Sequence, residues 1–245
     1  MEKKYKYRTL LYADYNSHLE DVALIKDKVR EKKLISKYFK VNYLPHFPDE
    51  KEISIVDIGC GKGAYLSACI ENGYLNVRGV DLSESNVEYC NNNRIPCSLV
   101  DGYDFLEENP GKFDIILFTD VIEHLLKDEL IEMIAVMREA LRENGIIIVK
   151  TNNLSNPFTG AAVRYSDFTH ETGFTEQSLR QVFRAMGFTN INIYGAKIYI
   201  YNNPIFWVVA LFERISSGFL FLHNCLYGRT SVRIFTKNII GVIRK

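Results

Sequence analysis

The chain has 245 residues, 47% of them apolar, with 30 lysines and arginines against 30 aspartates and glutamates. This length suits one large α/β domain whose core needs no staples. A net charge of zero argues against nucleic acid as the main partner, because neutralising its phosphates requires a basic excess.

In chain order, the first twenty residues have no apolar core segment, so no signal peptide is expected. Residues 17–41 read as a charged amphipathic helix packed beside a sheet. Five short apolar runs then alternate with helical patterns: 53–58, 76–81, 97–100, 113–119 and 145–151. Unbroken apolar strands are those of a parallel sheet buried on both faces, and the helices between them are its crossovers. Leu66, Cys69 and Ile70 mark one helix, stopped at Gly73, and Ser83 caps another running to about Asn93. Leu130, Ile134, Met137 and Leu141 line one helical face, ended by Asn144-Gly145.

Residues 152–174 read as a loop, followed by a helix capped by Thr175, faced by Leu179, Val182, Phe183 and Met186, and stopped by Gly187. A strand, one or two apolar helices over 204–226 and a last strand over 231–245 complete the chain. Glu213, Arg214 and two serines interrupt the apolar tract, which makes it a poor membrane span. From residue 195 onward seven lysines and arginines face the single acid Glu213. This basic end suits an anionic substrate or a membrane surface, or is a solvated edge. The five cysteines are scattered, with no pair at metal-ligand spacing; a reducing cytoplasmic compartment and no metal site are expected.

The segment 55–63, IVDIGCGKG, carries the functional signal. A strand-to-helix turn aims free N–H groups over the helix start, and glycines let a ligand approach them. The P-loop pattern fails, because Val56 holds its first glycine position and Gly63 its Ser/Thr position. The dinucleotide fingerprint fits literally at Gly59, Gly61 and Ala64, with Asp81 at the ribose position. Asp57 decides between ligands, since a carboxylate there repels a pyrophosphate and attracts a cation. S-adenosylmethionine has a ribose and an adenine, no phosphate, an ammonium and a sulfonium. Asp57 suits the ammonium side, Asp81 the ribose hydroxyls and Asp101 the adenine amino group.

VDIGCGKG, GVDLS, VDG and FTDVIEHL together resemble the successive motifs of class I S-adenosylmethionine-dependent methyltransferases, over roughly residues 50–150. The resemblance implies a Rossmann-like α/β fold: seven strands in the order 3-2-1-4-5-7-6, the last antiparallel, with helices on both faces. It implies a single domain, with an N-terminal helical segment (1–50), a cofactor core (51–151) and an acceptor-side region (152–245) with a helical insertion at 204–226. It places Asp57, Gly59, Cys60, Gly61, Asp81, Leu82, Asp101, Gly102 and Asp120 at the cofactor, and His124 on its methyl side.

The acceptor side is expected in RYSDFTHETGFT, where His170, held by Asp167, is the candidate base; Arg164 suits an anionic group, with Tyr165 and Glu171 close by. Asn152 and Asn153 suit sugar hydroxyls. Residues 165–188 also resemble bacterial methyltransferases of surface-polysaccharide (capsule, O-antigen) biosynthesis, which implies methylation of a sugar or sugar-phosphate hydroxyl. The open alternatives are a lipid or quinone-precursor acceptor, a NAD-dependent oxidoreductase and a non-catalytic partner subunit. The apolar C-terminal helices are expected to complete the core, to form a homodimer face or to touch a membrane peripherally.

Overall fold

A computed structural model describes residues 7, 10, 11, 28–197 and 204–245. Seven strands, β1 (Ile55–Ile58), β2 (Val77–Asp81), β3 (Cys97–Leu99), β4 (Phe113–Thr119), β5 (Leu141–Asn152), β6 (Asn190–Gly195) and β7 (Asn238–Arg244), form one sheet. Its order is β3-β2-β1-β4-β5-β7-β6, the order expected from the resemblance. The first five strands are parallel, and β7 runs antiparallel between β5 and β6.

The continuous apolar runs are explained by two cores, one on each face. In β4, Ile115 and Leu117 enter one core while Ile116 and Phe118 enter the other, and β5 divides Ile146 and Ile148 from Ile147 and Val149 in the same way. The first core is closed by Phe39 of α1 (Lys28–Asn42) and Tyr43 just after it, and by α2 (Ala64–Glu71), through Leu66 and Cys69. Cys90 of α3 (Glu84–Asn92) joins it. The second core takes Phe105 and Leu106 of α4 (Gly102–Glu107) and Leu130, Ile134 and Met137 of α5 (Lys127–Ala140). Burying one such side chain contributes about 1.5–3 kcal/mol. The helix expected over 17–41 is seen as α1; the part before residue 28 lies outside the described residues.

Three sequence expectations are corrected. The α5 helix ends at Ala140, not at Asn144-Gly145, because Leu141 already pairs with Phe113 in the sheet. Asn144, at φ +64°, sits instead where the β4–β5 register shifts between Phe113 and Ile115. The stretch 152–174 is not all loop: it holds the short helix α6 (Gly160–Ser166). Helix α7 (Glu176–Ala185) begins at Thr175, whose hydroxyl accepts from the Ser178 N–H, and it buries Leu179 and Phe183. The last strand is shorter than its sequence signal, since β7 begins at Asn238.

The C-terminal apolar segment is one helix, α8 (Pro204–Leu226), and it does not complete the core. None of residues 207–226 is buried, and Trp207, Phe212 and Leu226 are each more than 70% exposed. No helix among the described residues is long and apolar enough to cross a membrane.

The left-handed backbone at Asn144 gives a test. Asn144→Ala should lower stability by about 1 kcal/mol, because alanine strains there, while Asn144→Gly should not. Urea unfolding midpoints of the two variants check this.

Candidate functional site

Strand order reverses between β1 and β4, so the ends of these neighbours open a crevice at the carboxyl edge of the sheet. The loop after β1 enters it with three left-handed residues, Gly59 (φ +68°), Gly61 (φ +53°) and Gly63 (φ +69°). A Cβ on Gly59 would lie 2.6 Å from Val121 Cγ2, whereas one on Gly61 would meet nothing within 4 Å. Bare backbone therefore faces open space at Gly61.

Asp81, at the end of β2, is tied to this loop. The Gly61 N–H donates to its Oδ2 at 2.7 Å, and Ser83 N–H and Asn86 Nδ2 donate to its Oδ1 at 2.9 and 3.2 Å. Asp57 is 2% exposed. Burial, then the neighbouring Asp81, push its carboxyl well above the usual carboxylate range. Leu82 stands exposed just beyond Asp81. Asp101 caps α4, its Oδ1 accepting from the Tyr103 N–H at 2.8 Å. Gly102 packs on β1, where a Cβ would lie 2.5 Å from Ile58 Cγ2. Asp57, Asp81 and Asp101 thus belong to the ends of three strands or the turn after one, as their sequence positions require.

Beyond β4, Asp120 takes a left-handed φ of +54° and ion-pairs with the buried Lys150 of β5. Burial pulls the Lys150 ammonium down, but Asp120, with Tyr65 and Tyr38, outweighs it and leaves it above its ordinary value. Sequence reading missed Lys150. Its signal was a lysine at the end of an otherwise apolar buried strand.

Glu123 was also missed. It is buried, and desolvation, then Asp120, push its carboxyl up to about 8. Thr151 Oγ1 and Asn152 Nδ2 donate to it at 3.0 and 3.4 Å. Its carbonyl accepts from the Glu171 and Thr172 N–H groups at 2.8 and 3.0 Å, which ties the segment after β5 to the end of β4.

That tie brings His170 to His124, with ring centroids 4.8 Å apart. The His170 Nδ1 lies 3.0 Å from the Val163 carbonyl, which only accepts, so in the neutral ring Nδ1 carries the proton and Nε2 the lone pair. The expected Asp167–His170 side-chain pairing is corrected. Asp167 Oδ1 instead accepts from the Thr169 hydroxyl at 2.6 Å, and Thr169 Oγ1 lies 2.8 Å from His124 Nδ1. With its hydrogen given to Asp167, that hydroxyl accepts from His124, and the same tautomer follows. Burial, then His170, hold the His124 imidazole down to about 4, so it is neutral at physiological pH.

Other acceptor-side expectations change too. Arg164 gives its two terminal nitrogens to the carbonyls of His170 and Glu171, bracing the loop rather than presenting a free guanidinium fork. Asn153 is buried and bonds Ile234 O, Thr236 O and Ser155 N, pinning the chain before β7; it is not presented to a ligand. Tyr165 is 81% exposed, and Glu171 accepts from the Tyr7 hydroxyl. Glu123, Asn152, Arg164 and His170 line one narrow cleft. A wider groove along α7, between Glu176 and Ala185, contains none of these groups. A carboxylate oxygen of Glu123 and one ring nitrogen from each of His124 and His170 lie within 4.8 Å of one another, a ligand-type grouping that sequence spacing did not suggest.

A family profile described as a methyltransferase domain matches residues 30–193, more than half the chain. No curated protein matches the chain. Among solved structures, a methyltransferase from Archaeoglobus fulgidus superposes with a TM-score of 0.67 at 17% identity, over 94% of this chain and 99% of that one. One from Thermotoga maritima gives 0.63 at 12% identity, over 98% and 99%. The Burkholderia thailandensis 1,6-didemethyltoxoflavin N1-methyltransferase, solved with S-adenosylhomocysteine, gives 0.59 at 15% identity, over 100% and 91%. At these identities the likeness concerns the fold.

Glu123 gives a pH test. Folded, it keeps its proton up to about pH 8; unfolded, only to its ordinary value of 4.5. Its contribution to stability is full below 4.5 and is lost as pH rises through 8. Glu123→Gln, permanently neutral, should therefore gain on the natural protein between pH 5 and pH 8.5, as read from urea midpoints at both pH values.

Proposed function

The chain belongs to the methyltransferase-domain family, with S-adenosylmethionine as its methyl donor, and from that premise we propose that it methylates a hydroxyl of a sugar or sugar-phosphate-like acceptor, of the kind assembled into bacterial capsule or O-antigen. The observation that carries the oxygen reading is the pair of imidazoles beyond β4, each with its proton fixed on Nδ1. A hydroxyl must lose its proton as its oxygen attacks carbon, whereas an amine attacks with a lone pair already present. A neutral imidazole is suited to take that proton near pH 7.

The crevice fits the donor. Left-handed Gly59 and Gly61 expose backbone, and the strand ends carry acids where a phosphate cradle would need cations. When bound, S-adenosylmethionine supplies an electrophilic methyl group on a sulfonium. Asp57 would hold the ammonium side, and a cationic neighbour there would oppose the upward push that burial gives its carboxyl. Asp81, already oriented by the loop, would accept from the ribose hydroxyls. Asp101 would face the adenine amino group with the oxygen that does not cap α4. Backbone at Cys60 and Gly102 and the exposed Leu82 would flank the nucleoside.

On the acceptor side His170 takes the hydroxyl proton on Nε2. Asp167, through Thr169, positions His124 against it. Asn152 would bond acceptor hydroxyls, and the exposed Tyr165 offers a face to a sugar ring. Asp120 acts through Lys150, fixing the floor of the crevice.

The exposed apolar side of α8 supports a second element of the reading: contact with an anionic membrane surface, where lipid-linked glycans are built. Exposed Trp207, Phe212, Ile215 and Phe219 supply the apolar ridge, and Arg214, Arg229 and Arg233 supply the charge. Flotation with vesicles rich in anionic lipid should carry the protein upward. Failure to float, or a stable dimer formed through α8, would remove this element.

The site assignments are tested by two substitutions. Asp81→Ala should abolish measurable S-adenosylmethionine binding in calorimetry. His170→Ala should keep that affinity while turnover of the acceptor falls about 10²–10⁴-fold. Full turnover by His170→Ala would refute the base.

A further inference from the structure

Three cysteines that look scattered in the sequence converge beneath the glycine loop. Cys60 lies between Gly59 and Gly61, Cys90 in the last turn of α3, and Cys97 at the start of β3. Their Sγ atoms all lie within 4.8 Å of one another, and Cys60 and Cys97 are 3.3 Å apart. Two glycines make the space. A Cβ on Gly79 would stand 2.6 Å from Cys60 Sγ, and one on Gly63 3.0 Å from Cys90 Sγ. Gly61 joins this cluster to the crevice: its carbonyl accepts from the Cys90 thiol at 3.4 Å, while its N–H donates to Asp81.

We propose that Cys60, Cys90 and Cys97 form a three-sulfur site for one soft d10 cation, Zn²⁺ or Cu⁺. Thiolate sulfur selects such ions over the hard divalent cations. An ion about 2.3 Å from each sulfur sets the sulfurs roughly 4 Å apart, inside the span observed here. A disulfide would engage two of the three sulfurs and leave the third unused. Each ligand enters as a thiolate, so loading releases the thiol protons to solvent, and the partly exposed Cys97 gives the route of entry. The bound ion would tie the glycine loop, α3 and β3 together. If the cofactor reading of the loop holds, ion and S-adenosylmethionine then change each other's affinity by the same factor.

The test uses the reduced, chelator-treated full chain without S-adenosylmethionine, so it stands apart from the cofactor reading. The protein is titrated with Zn²⁺ and, separately, with Cu⁺ in competition with a chromophoric chelator, and bound metal and reactive thiols are counted after desalting. One equivalent of one of these ions should bind and protect three thiols. Cys60→Ser, Cys90→Ser and Cys97→Ser should each weaken binding at least tenfold, while Cys225→Ser, on α8, should not. Cys97 is only partly buried, at the margin of the core, so its variant tests the site with the least disturbance to packing. Three results would overturn the proposal: uptake well below one equivalent, uptake indifferent to the three substitutions (an adventitious ion only), or a Cys60–Cys97 disulfide on oxidation of a chain that holds neither ion when reduced.

Discussion

The bond between the Gly61 N–H and the Asp81 carboxylate organises the crevice. It spans two adjacent parallel strands at their carboxyl ends, and it is made by a residue whose φ of +53° suits glycine. Asp81 is held at the same time by Ser83 and Asn86, so the loop, the end of β2 and the start of α3 form one hydrogen-bonded unit. The arrangement requires the sheet order: β2 must lie beside β1 for the bond to form, and β4 must lie on the other side for the crevice to open. A carboxylate so oriented keeps further acceptor capacity on its two oxygens.

Around that unit, burial sets the charge state. Desolvation and a neighbouring carboxylate push the Asp57 carboxyl well above the usual carboxylate range and that of Glu123 up to about 8, while Asp120 holds the Lys150 ammonium above its ordinary value. His124 is kept neutral by burial. The two ends of the crevice thus differ in kind. The end beside the glycine loop has acids that ionise more readily when a cation arrives, and the end beyond β4 has two imidazoles whose Nδ1 atoms are engaged by hydrogen bonds. This division suits a reaction that consumes a positive charge at one centre and releases a proton at the other.

Much of this was legible in the sequence because burial on both faces leaves strands as unbroken apolar runs; β4 was read to its terminal residues. The glycine loop was legible because positive φ has few residue choices. Other features were hidden for physical reasons. Asn144-Gly145 looks like a helix stop because both a C-cap and a strand irregularity use left-handed backbone. The Asp167–His124 relay was obscured by Thr169, an intermediary that no spacing rule predicts. Arg164 looked like an anion ligand, yet two backbone carbonyls claim it. The cysteines converge only because β3 packs beside β2 and α3 returns beneath the loop. Local spacing carries no trace of that.

The central claim is that the carboxylates at the strand ends hold a cationic, phosphate-free nucleoside. A crystal structure of the protein with S-adenosylmethionine tests it most directly. The account predicts both ribose hydroxyls on Asp81, the ammonium on the Asp57 side of the glycine loop, and the methyl group facing His170. A nucleoside bound elsewhere, or in the crevice with Asp81 turned away from its ribose, would contradict it.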